Sequence, residues 1–127
     1  MPEAGPSATG QARGRAAESL ARGHLEAQGL TVVAANRRLG GGELDLVAWE
    51  GPVLVFVEVK GRALGRPGAP EEAVDWRKRQ RLVQAAQAYL AQLAGPEPPC
   101  RFDVVAVEFG PGHPCLRHLR DAFRPGD

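Results

Sequence analysis

The sequence predicts a single α/β domain in which a mixed β-sheet is flanked by helices. Apolar residues recur at helical spacing in two separate segments, and short runs rich in β-branched residues stand between and after them. The 127 residues are enough for one hydrophobic core and too few for two domains of ordinary size. We therefore expect one domain over residues 10–127, with no internal repeat.

The first helix is predicted over about residues 10–28. Residues 1–9 are rich in Pro, Gly, Ala and Ser and are expected to form a disordered lead-in. The apolar stripe of the helix, at the spacing i, i+3, i+4, i+8, consists of Ala17, Leu20, Ala21 and Leu25. Gly29 can end the helix. Glu18 borders the stripe, so its carboxylate can reach across the packed face.

Three strands are expected next, in the runs LTVVAANRRL (30–39), GELDLVAW (42–49) and PVLVFVEVK (52–60). Glu50 and Gly51 are expected to turn the chain between the last two. Because side chains alternate along a strand, one face of the second strand should carry Glu43, Asp45 and Val47. The other face should carry Leu44, Leu46 and Ala48.

A loop over residues 61–70 precedes the second helix, which is expected to begin at Pro70 and to end near Gly95. Its apolar stripe consists of Leu82, Ala85, Ala86, Tyr89, Leu90 and Leu93. RFDVVAVEF (101–109) predicts a fourth strand, parallel to the third and reached by a right-handed crossover. For CLRHLRDAF (115–123), a short strand and a helical turn both remain open.

Composition narrows the function. A formal net charge of +1 excludes a protein that coats nucleic acid by bulk charge, and an aromatic content of 6% leaves few platforms for stacking bases. Trp49 and Trp76 are expected to be packing residues. Cys100 and Cys115 lack metal-motif spacing and are expected to be free thiols. The N-terminus has no continuous apolar stretch, so we expect a cytoplasmic protein.

The apolar hairpin of the second and third strands carries four charges, Glu43, Asp45, Glu58 and Lys60. A two-residue turn at Glu50 and Gly51 would set Glu43 opposite Glu58, and a loop two residues longer would set Asp45 there. Either register brings Asp45 and Glu58 onto one face, roughly 5 to 8 Å apart at Cβ. Like charges at that distance destabilise a sheet unless a positive charge lies between them.

Lys60 or a divalent cation can supply that charge. Mg²⁺ typically takes one or two protein carboxylates and keeps several waters, and it can bind a phosphate oxygen and activate a coordinated water. Lys60 would then hold the attacking water or neutralise the phosphate. In the alternative reading, Glu43 and Asp45 form rim salt bridges with Lys60 and Arg62. We prefer that alternative for Glu43 alone, and a metal site for Asp45, Glu58 and Lys60.

These residues carry a family resemblance. Asp45 followed by the Glu58-Val59-Lys60 sequence resembles the PD-(D/E)xK nuclease superfamily, which includes restriction endonucleases and archaeal Holliday-junction resolvases. A closer similarity is to the bacterial YraN-like family. It covers about residues 10–123, in the segments AESLARGHLEAQGL, ANRRLGGGELDLVAWEG, VFVEVKGR, RFDVVAV and DAF. The resemblance implies a restriction endonuclease-like core.

The resemblance also implies roles for single residues. Asp45, Glu58 and Lys60 match the Asp, Asp/Glu and Lys of the superfamily, and Glu18 matches an acid that resolvase-like members place near the metal. Leu44 stands where the motif name has proline, a mild departure because the Asp supplies the ligand. The implied cofactor is Mg²⁺, or Mn²⁺, and the implied assembly is a homodimer that cuts two strands symmetrically.

Basic residues are concentrated after the proposed site. Residues 60–81 contain seven basic and three acidic residues, in contrast to the nearly neutral chain. The residues expected to contact DNA phosphates are Arg37, Arg38, Arg62, Arg66 and Lys78. For the basic residues of the second helix, a merely solvated helix face is an equally good reading. No base-reading motif is present, which favours recognition of DNA shape or of a junction.

Three functional hypotheses follow. The first is a Mg²⁺-dependent endonuclease that acts on DNA, branched or otherwise structured. The second is a non-catalytic nucleic-acid-binding module that keeps the nuclease fold. The third is a protein-interaction adaptor in which the hairpin charges are only structural.

Overall fold

The computed structural model of the chain describes residues 6–65 and 75–125. Its elements, in chain order, are α1 (Pro6–Ala27), β1 (Thr31–Leu39), β2 (Gly42–Glu50), β3 (Val53–Ala63), α2 (Trp76–Ala91), β4 (Cys100–Phe109) and β5 (Cys115–Phe123). The strands form one five-stranded mixed sheet in the order β1-β2-β3-β4-β5. This confirms the predicted α/β class with a mixed sheet and flanking helices.

The strand directions follow from the connections. The pairs β1/β2, β2/β3 and β4/β5 are antiparallel, whereas β3 and β4, which α2 connects, are parallel. The predicted parallel crossover through the second helix is therefore confirmed. The segment 115–123, for which a strand and a helical turn were both open, is a strand paired with β4.

Each face of the sheet has its own apolar core. On one face, α1 buries Ala17, Ala21 and Leu25 against the sheet. On the other, α2 buries Leu82, Ala85 and Ala86. Most of the two predicted stripes therefore face the sheet, and packing of these faces stabilises the helices more than helix propensity does. Leu20 is the exception in the first stripe, since it is exposed at the edge of α1.

Both helices differ from the prediction at their ends. The first begins at Pro6, so residues 6–9 of the expected lead-in are helical, and residues 1–5 lie outside the described residues. The second begins at Trp76 rather than Pro70 because Asp75 is extended and caps it, accepting a hydrogen bond from the Lys78 N–H. It ends at Ala91, earlier than predicted.

The β2–β3 turn consists of Gly51 and Pro52, because Glu50 already pairs with Val53. This corrects the expected turn at Glu50 and Gly51. Gly51 has a φ of 55°, which suits the first central position of a type II′ turn and leaves proline the second. The pairing continues regularly to Leu46 and Val57. This register is the second of the two considered above, in which Asp45 faces Glu58, but the regular pairing ends one residue before them.

The alternation of faces along β2 breaks at Asp45. Leu44 packs in the core beneath α2, whereas Leu46 and Ala48 pack in the core beneath α1, so these three residues do not share the face predicted for them. At the same level of the neighbouring strand, Asn36 has a φ of 53°, so the regular extended backbone is interrupted there as well. The break leaves the Asp45 side chain between the two faces.

Close contact between the β1–β2 turn and α2 sets the position of the helix. A Cβ atom at Gly42 would collide with the Arg81 carbonyl oxygen, and one at Gly40 would lie 2.8 Å from the Gln84 carbonyl oxygen. Only glycine allows this approach, and Gly40 also has a positive φ of 61°. The middle of α2 is thereby held next to the start of β2.

Candidate functional site

Asp45 and Glu58 form a carboxyl pair where the β2–β3 ladder ends. The side chain of Glu58 is 7% exposed and contacts that of Asp45. Asp45 is half-buried, and its Oδ2 accepts a hydrogen bond of 2.8 Å from the Val59 N–H. Burial, and then the Asp45 carboxyl, raise the pKa of Glu58 to about 8, against the opposing charge of Lys78. At neutral pH the Glu58 carboxyl is therefore mainly protonated.

Lys78 is the cation in contact with this pair. Its Nζ lies 3.6 Å from Glu58 Oε1, and the Asp75 cap fixes the helical turn from which it extends. The sequence placed Lys78 only among the residues for DNA phosphates. Because it already contributes a positive charge at Glu58, it partly neutralises the carboxyl pair without any ion.

An open cavity of about 1030 Å³ surrounds the pair. Asp45 and Glu58 lie in its wall together with Glu43 and Asp75, and the wall also carries four basic residues, Arg38, Arg77, Lys78 and Arg81. The sequence left Arg77 and Arg81 undecided between a solvated helix face and a functional one. The structure puts both on the cavity side of α2, where cations attract an anionic ligand.

Glu18 lies on the other side of Asp45. A second cavity, of about 570 Å³, is lined by both residues and by Asn36. Asn36 Nδ2 donates a hydrogen bond of 2.6 Å to Glu18 Oε1. The first cavity thus contains Asp45 with Glu58, the second contains Asp45 with Glu18, and Asp45 borders both. No pattern in the sequence indicated Asn36, whose place beside Glu18 depends on its positive φ.

Lys60 and Arg62 follow Glu58 on β3 and have different surroundings. Lys60 is half-buried on the strand face that carries Glu58, but it is not among the residues that line the two cavities. Arg62 forms a buried ion pair with Glu108, with Nη2 and Oε2 3.2 Å apart and both side chains little exposed. This pair ties β3 to β4, so the geometry does not support the expected contact of Arg62 with phosphate.

The remaining basic candidates lie at the edge of the sheet. Arg38 lines the large cavity and is paired with Glu43 at 3.3 Å, and both side chains are substantially exposed. Glu43 therefore forms a rim salt bridge, as preferred, but its partner is Arg38 and not the expected Lys60 or Arg62. Arg37 lies over the Tyr89 ring. Arg66 lies outside the described residues.

The donor set fits one divalent cation bound mainly by water. Within residues 6–65 and 75–125, no three Asp, Glu, His or Cys side chains form a group that could hold a metal ion. Mg²⁺ does not need such a group, since it typically takes one or two carboxylates and retains waters. Asp45 and Glu58 offer oxygen ligands in an open cavity, and a cation there would replace the proton of Glu58.

A second polar cluster, centred on Asp103 of β4, has no counterpart in the sequence predictions. Asp103 is fully buried and accepts hydrogen bonds from Arg101, His118 and the Asp121 N–H. The His118 ring in turn lies 3.1 Å from His24 on α1. The cluster connects β4, β5 and α1, and no spacing in the sequence indicates that these residues meet.

Fold and site define an α/β protein whose mixed sheet carries a carboxyl pair in the wall of a cavity lined by four acidic and four basic residues. The chain belongs to a family described as uncharacterised protein family UPF0102, whose profile matches residues 17–107. This confirms the expected YraN-like membership. In the described part of the chain, no helix is long and apolar enough to cross a membrane.

Curated relatives cover nearly the whole chain. A UPF0102 protein of Xanthomonas axonopodis pv. citri is 52% identical over 118 residues, which are 92% of this chain and 95% of the relative. One from Symbiobacterium thermophilum is 50% identical over 111 residues, 87% of this chain and 94% of the relative. Another, from Burkholderia lata, is 49% identical, with 100% of this chain and 89% of the relative aligned. The names of these three proteins state the family and no activity.

Proposed function

We propose that the protein is a Mg²⁺-dependent endonuclease that hydrolyses phosphodiester bonds in DNA, with branched or junction DNA as the expected substrate. The observation that carries this proposal is the Asp45–Glu58 pair, two carboxyls in contact in the wall of the large cavity, which also carries four basic side chains. Such a pair is destabilising without a cation and is typical of functional sites. Two copies of the chain, one for each strand, would suit a four-way junction.

In this proposal Asp45 and Glu58 hold the metal, which would supply an activated water and stabilise charge on the phosphorus. The Val59 N–H keeps Asp45 oriented. Lys60 positions the water or neutralises the phosphate, and Glu18 supports Asp45 from the second cavity. The phosphates flanking the cut are bound by the basic lining of the large cavity, Arg38, Arg77, Lys78 and Arg81.

The second candidate is a nucleic-acid-binding module without catalysis. Lys78 favours it, because its Nζ, 3.6 Å from Glu58 Oε1, already supplies positive charge at the place where a metal would bind. In that case the cavity binds phosphate through its arginines, and the carboxyl pair only anchors α2.

Calorimetric titration with Mg²⁺ and Mn²⁺ tests the proposal, followed by incubation of the same samples with duplex, flap and four-way-junction DNA. We expect metal binding and cleavage by the wild-type protein, and loss of both in Asp45→Ala. The exposed Glu26→Gln variant, whose carboxyl pairs with Arg22 on α1 and lines neither cavity, is the matched control and should keep both. Salt-sensitive DNA binding without cleavage at any Mg²⁺ or Mn²⁺ concentration would support the binding module instead.

The two lysines near the carboxyl pair are expected to differ in their effects. Lys60→Ala should abolish cleavage while leaving metal binding intact, because Lys60 acts on water or phosphate. Lys78→Ala should tighten metal binding, because the ion no longer meets a neighbouring cation, and should weaken DNA binding. Calorimetry and cleavage rates on both variants separate the roles. If Lys78→Ala loses cleavage and Lys60→Ala keeps it, the role proposed for Lys60 belongs to Lys78.

A further inference from the structure

The face of α2 that turns away from the carboxyl pair carries a second, smaller pocket. We call it the Trp76 pocket; its volume is about 220 Å³, and its walls include Trp76, Arg79, Gln80, Gln84 and Arg124. Trp76 is 61% exposed, so the expectation that it is a packing residue is wrong. Trp49, by contrast, packs against the core beneath α2, as predicted. Because the exposed indole forms part of the pocket wall, a flat ligand in the pocket can stack on it.

The chemistry of the pocket is that of a nucleotide site. The indole offers a flat stacking surface, and two guanidinium groups and two amide side chains surround it. The guanidinium of Arg79 is held over the Phe123 ring, and that of Arg124 is bonded to Asp121. Positive charge beside an aromatic face suits a base and its phosphate, and the amides can bond the edge of the base. The pocket volume of about 220 Å³ is smaller than the 300–1,000 Å³ usual for small-molecule sites, so the pocket suits a single base of a longer strand better than a free small molecule.

The position of the pocket relates it to the carboxyl pair. Trp76 and Gln80 face the pocket, whereas Arg77, Lys78 and Arg81 on the same two turns line the large cavity. The two sites are separated only by the width of one helix, on the order of 10 Å. A DNA strand whose backbone lies in the large cavity can therefore reach Trp76 with a nearby base, provided that this base is unpaired.

We propose that the Trp76 pocket binds an unpaired base of a DNA strand whose backbone lies along the large cavity. The preferred substrate would then contain a single-stranded segment, such as a flap, a bubble or a frayed junction arm. This substrate assignment rests on the proposed function, whereas binding of the base does not require cleavage.

Tryptophan fluorescence tests the stacking directly. The chain has two tryptophans, so Trp49→Phe leaves Trp76 as the only one. Titration of this variant with a short oligothymidylate at low salt, with EDTA present, should quench the emission, because a stacked base contacts the indole. A blunt duplex should quench it much less. Unchanged Trp76 emission while the anisotropy of a labelled oligothymidylate shows saturated binding would overturn the proposal.

Affinity provides the second measurement. Trp76→Ala should weaken oligothymidylate binding by about 5- to 150-fold, the usual effect of removing one stacked base, and Trp76→Phe should retain most of it. Duplex binding should change little in either variant. Equal weakening of single-stranded and duplex binding would contradict the assignment. Because these measurements contain no metal, their failure and a failure of the nuclease proposal are distinguishable.

Discussion

Replacing Asp103 by alanine is expected to lower the free energy of unfolding by about 3–5 kcal/mol. The carboxylate is fully buried and accepts two hydrogen bonds from Arg101, one from His118 and one from the Asp121 N–H. Its removal leaves these donors without their acceptor in the packed region between β4, β5 and α1. Such loss of one partner from a buried charged network is among the most destabilising single changes.

Urea unfolding at pH 7 measures this effect. Burial alone would raise the pKa of Asp103, but the hydrogen bonds from His118 and Arg101 outweigh it and hold the pKa below its ordinary value. The stabilisation is therefore complete above about pH 4 and is lost as the pH falls through the lowered pKa. Asp121→Asn, which alters an exposed pair with Arg124, is the control and should change stability by less than about 0.5 kcal/mol. A similar loss in both variants would contradict the assigned role of Asp103.

The second large effect concerns Glu58. In the folded protein its pKa is raised to about 8 from an ordinary value of 4.5, chiefly by burial and then by Asp45. Between these values the folded state keeps a proton that the unfolded state releases, so stability falls as the pH rises from about 4.5 to 8. At pH 7 this costs the metal-free protein about 3 kcal/mol, since one pKa unit is worth about 1.4 kcal/mol. Glu58→Gln, which cannot ionise, should lack the decline.

The test measures the free energy of unfolding in EDTA across this pH range for wild type and for Glu58→Gln. The difference between the two curves gives the effect of Glu58. The comparison also cancels the contribution of His24 to the pH dependence. Burial and the charges of His118 and Arg120 lower the pKa of His24, so its protonation reduces stability as the pH falls below 6.5. Glu43→Gln, an exposed carboxyl of the same hairpin, should behave like wild type. Added Mg²⁺ should flatten the decline of stability with pH in wild type and should not change the curve of Glu58→Gln. Parallel curves for wild type and Glu58→Gln would show that Glu58 is ionised in the folded protein.

The fold was largely predictable because its periodicities are strong. The stripes of α1 and α2 and the apolar runs of β2, β3 and β4 identify elements whose burial the structure confirms. The helix ends were less predictable, since the cap at Asp75 and the early start at Pro6 depend on local hydrogen bonds and backbone angles. The strand at 115–123 has no decisive pattern of its own and is defined by pairing with β4.

The candidate site was predictable in part. Strand periodicity alone brought Asp45 and Glu58 together, because both registers considered put them on one face. It could not foresee the kink at Asn36 or the place of Asp45 between two cavities. Nor could it identify Lys78 as the partner of Glu58 or Glu108 as the partner of Arg62, because contacts between distant elements leave no mark on local spacing.

The strand order has a consequence for how the site assembles during folding. Three of the four strand pairings in the described chain join consecutive strands through short turns, whereas β3 and β4 pair only after the chain has passed through α2. Pairings between distant segments carry a larger loop-closure cost and form more slowly. We therefore expect the β2–β3 hairpin, with both carboxyls, to form early. The basic side chains and Trp76 of α2 then arrive last, so a kinetic intermediate would hold the anionic half of the site before its cationic half.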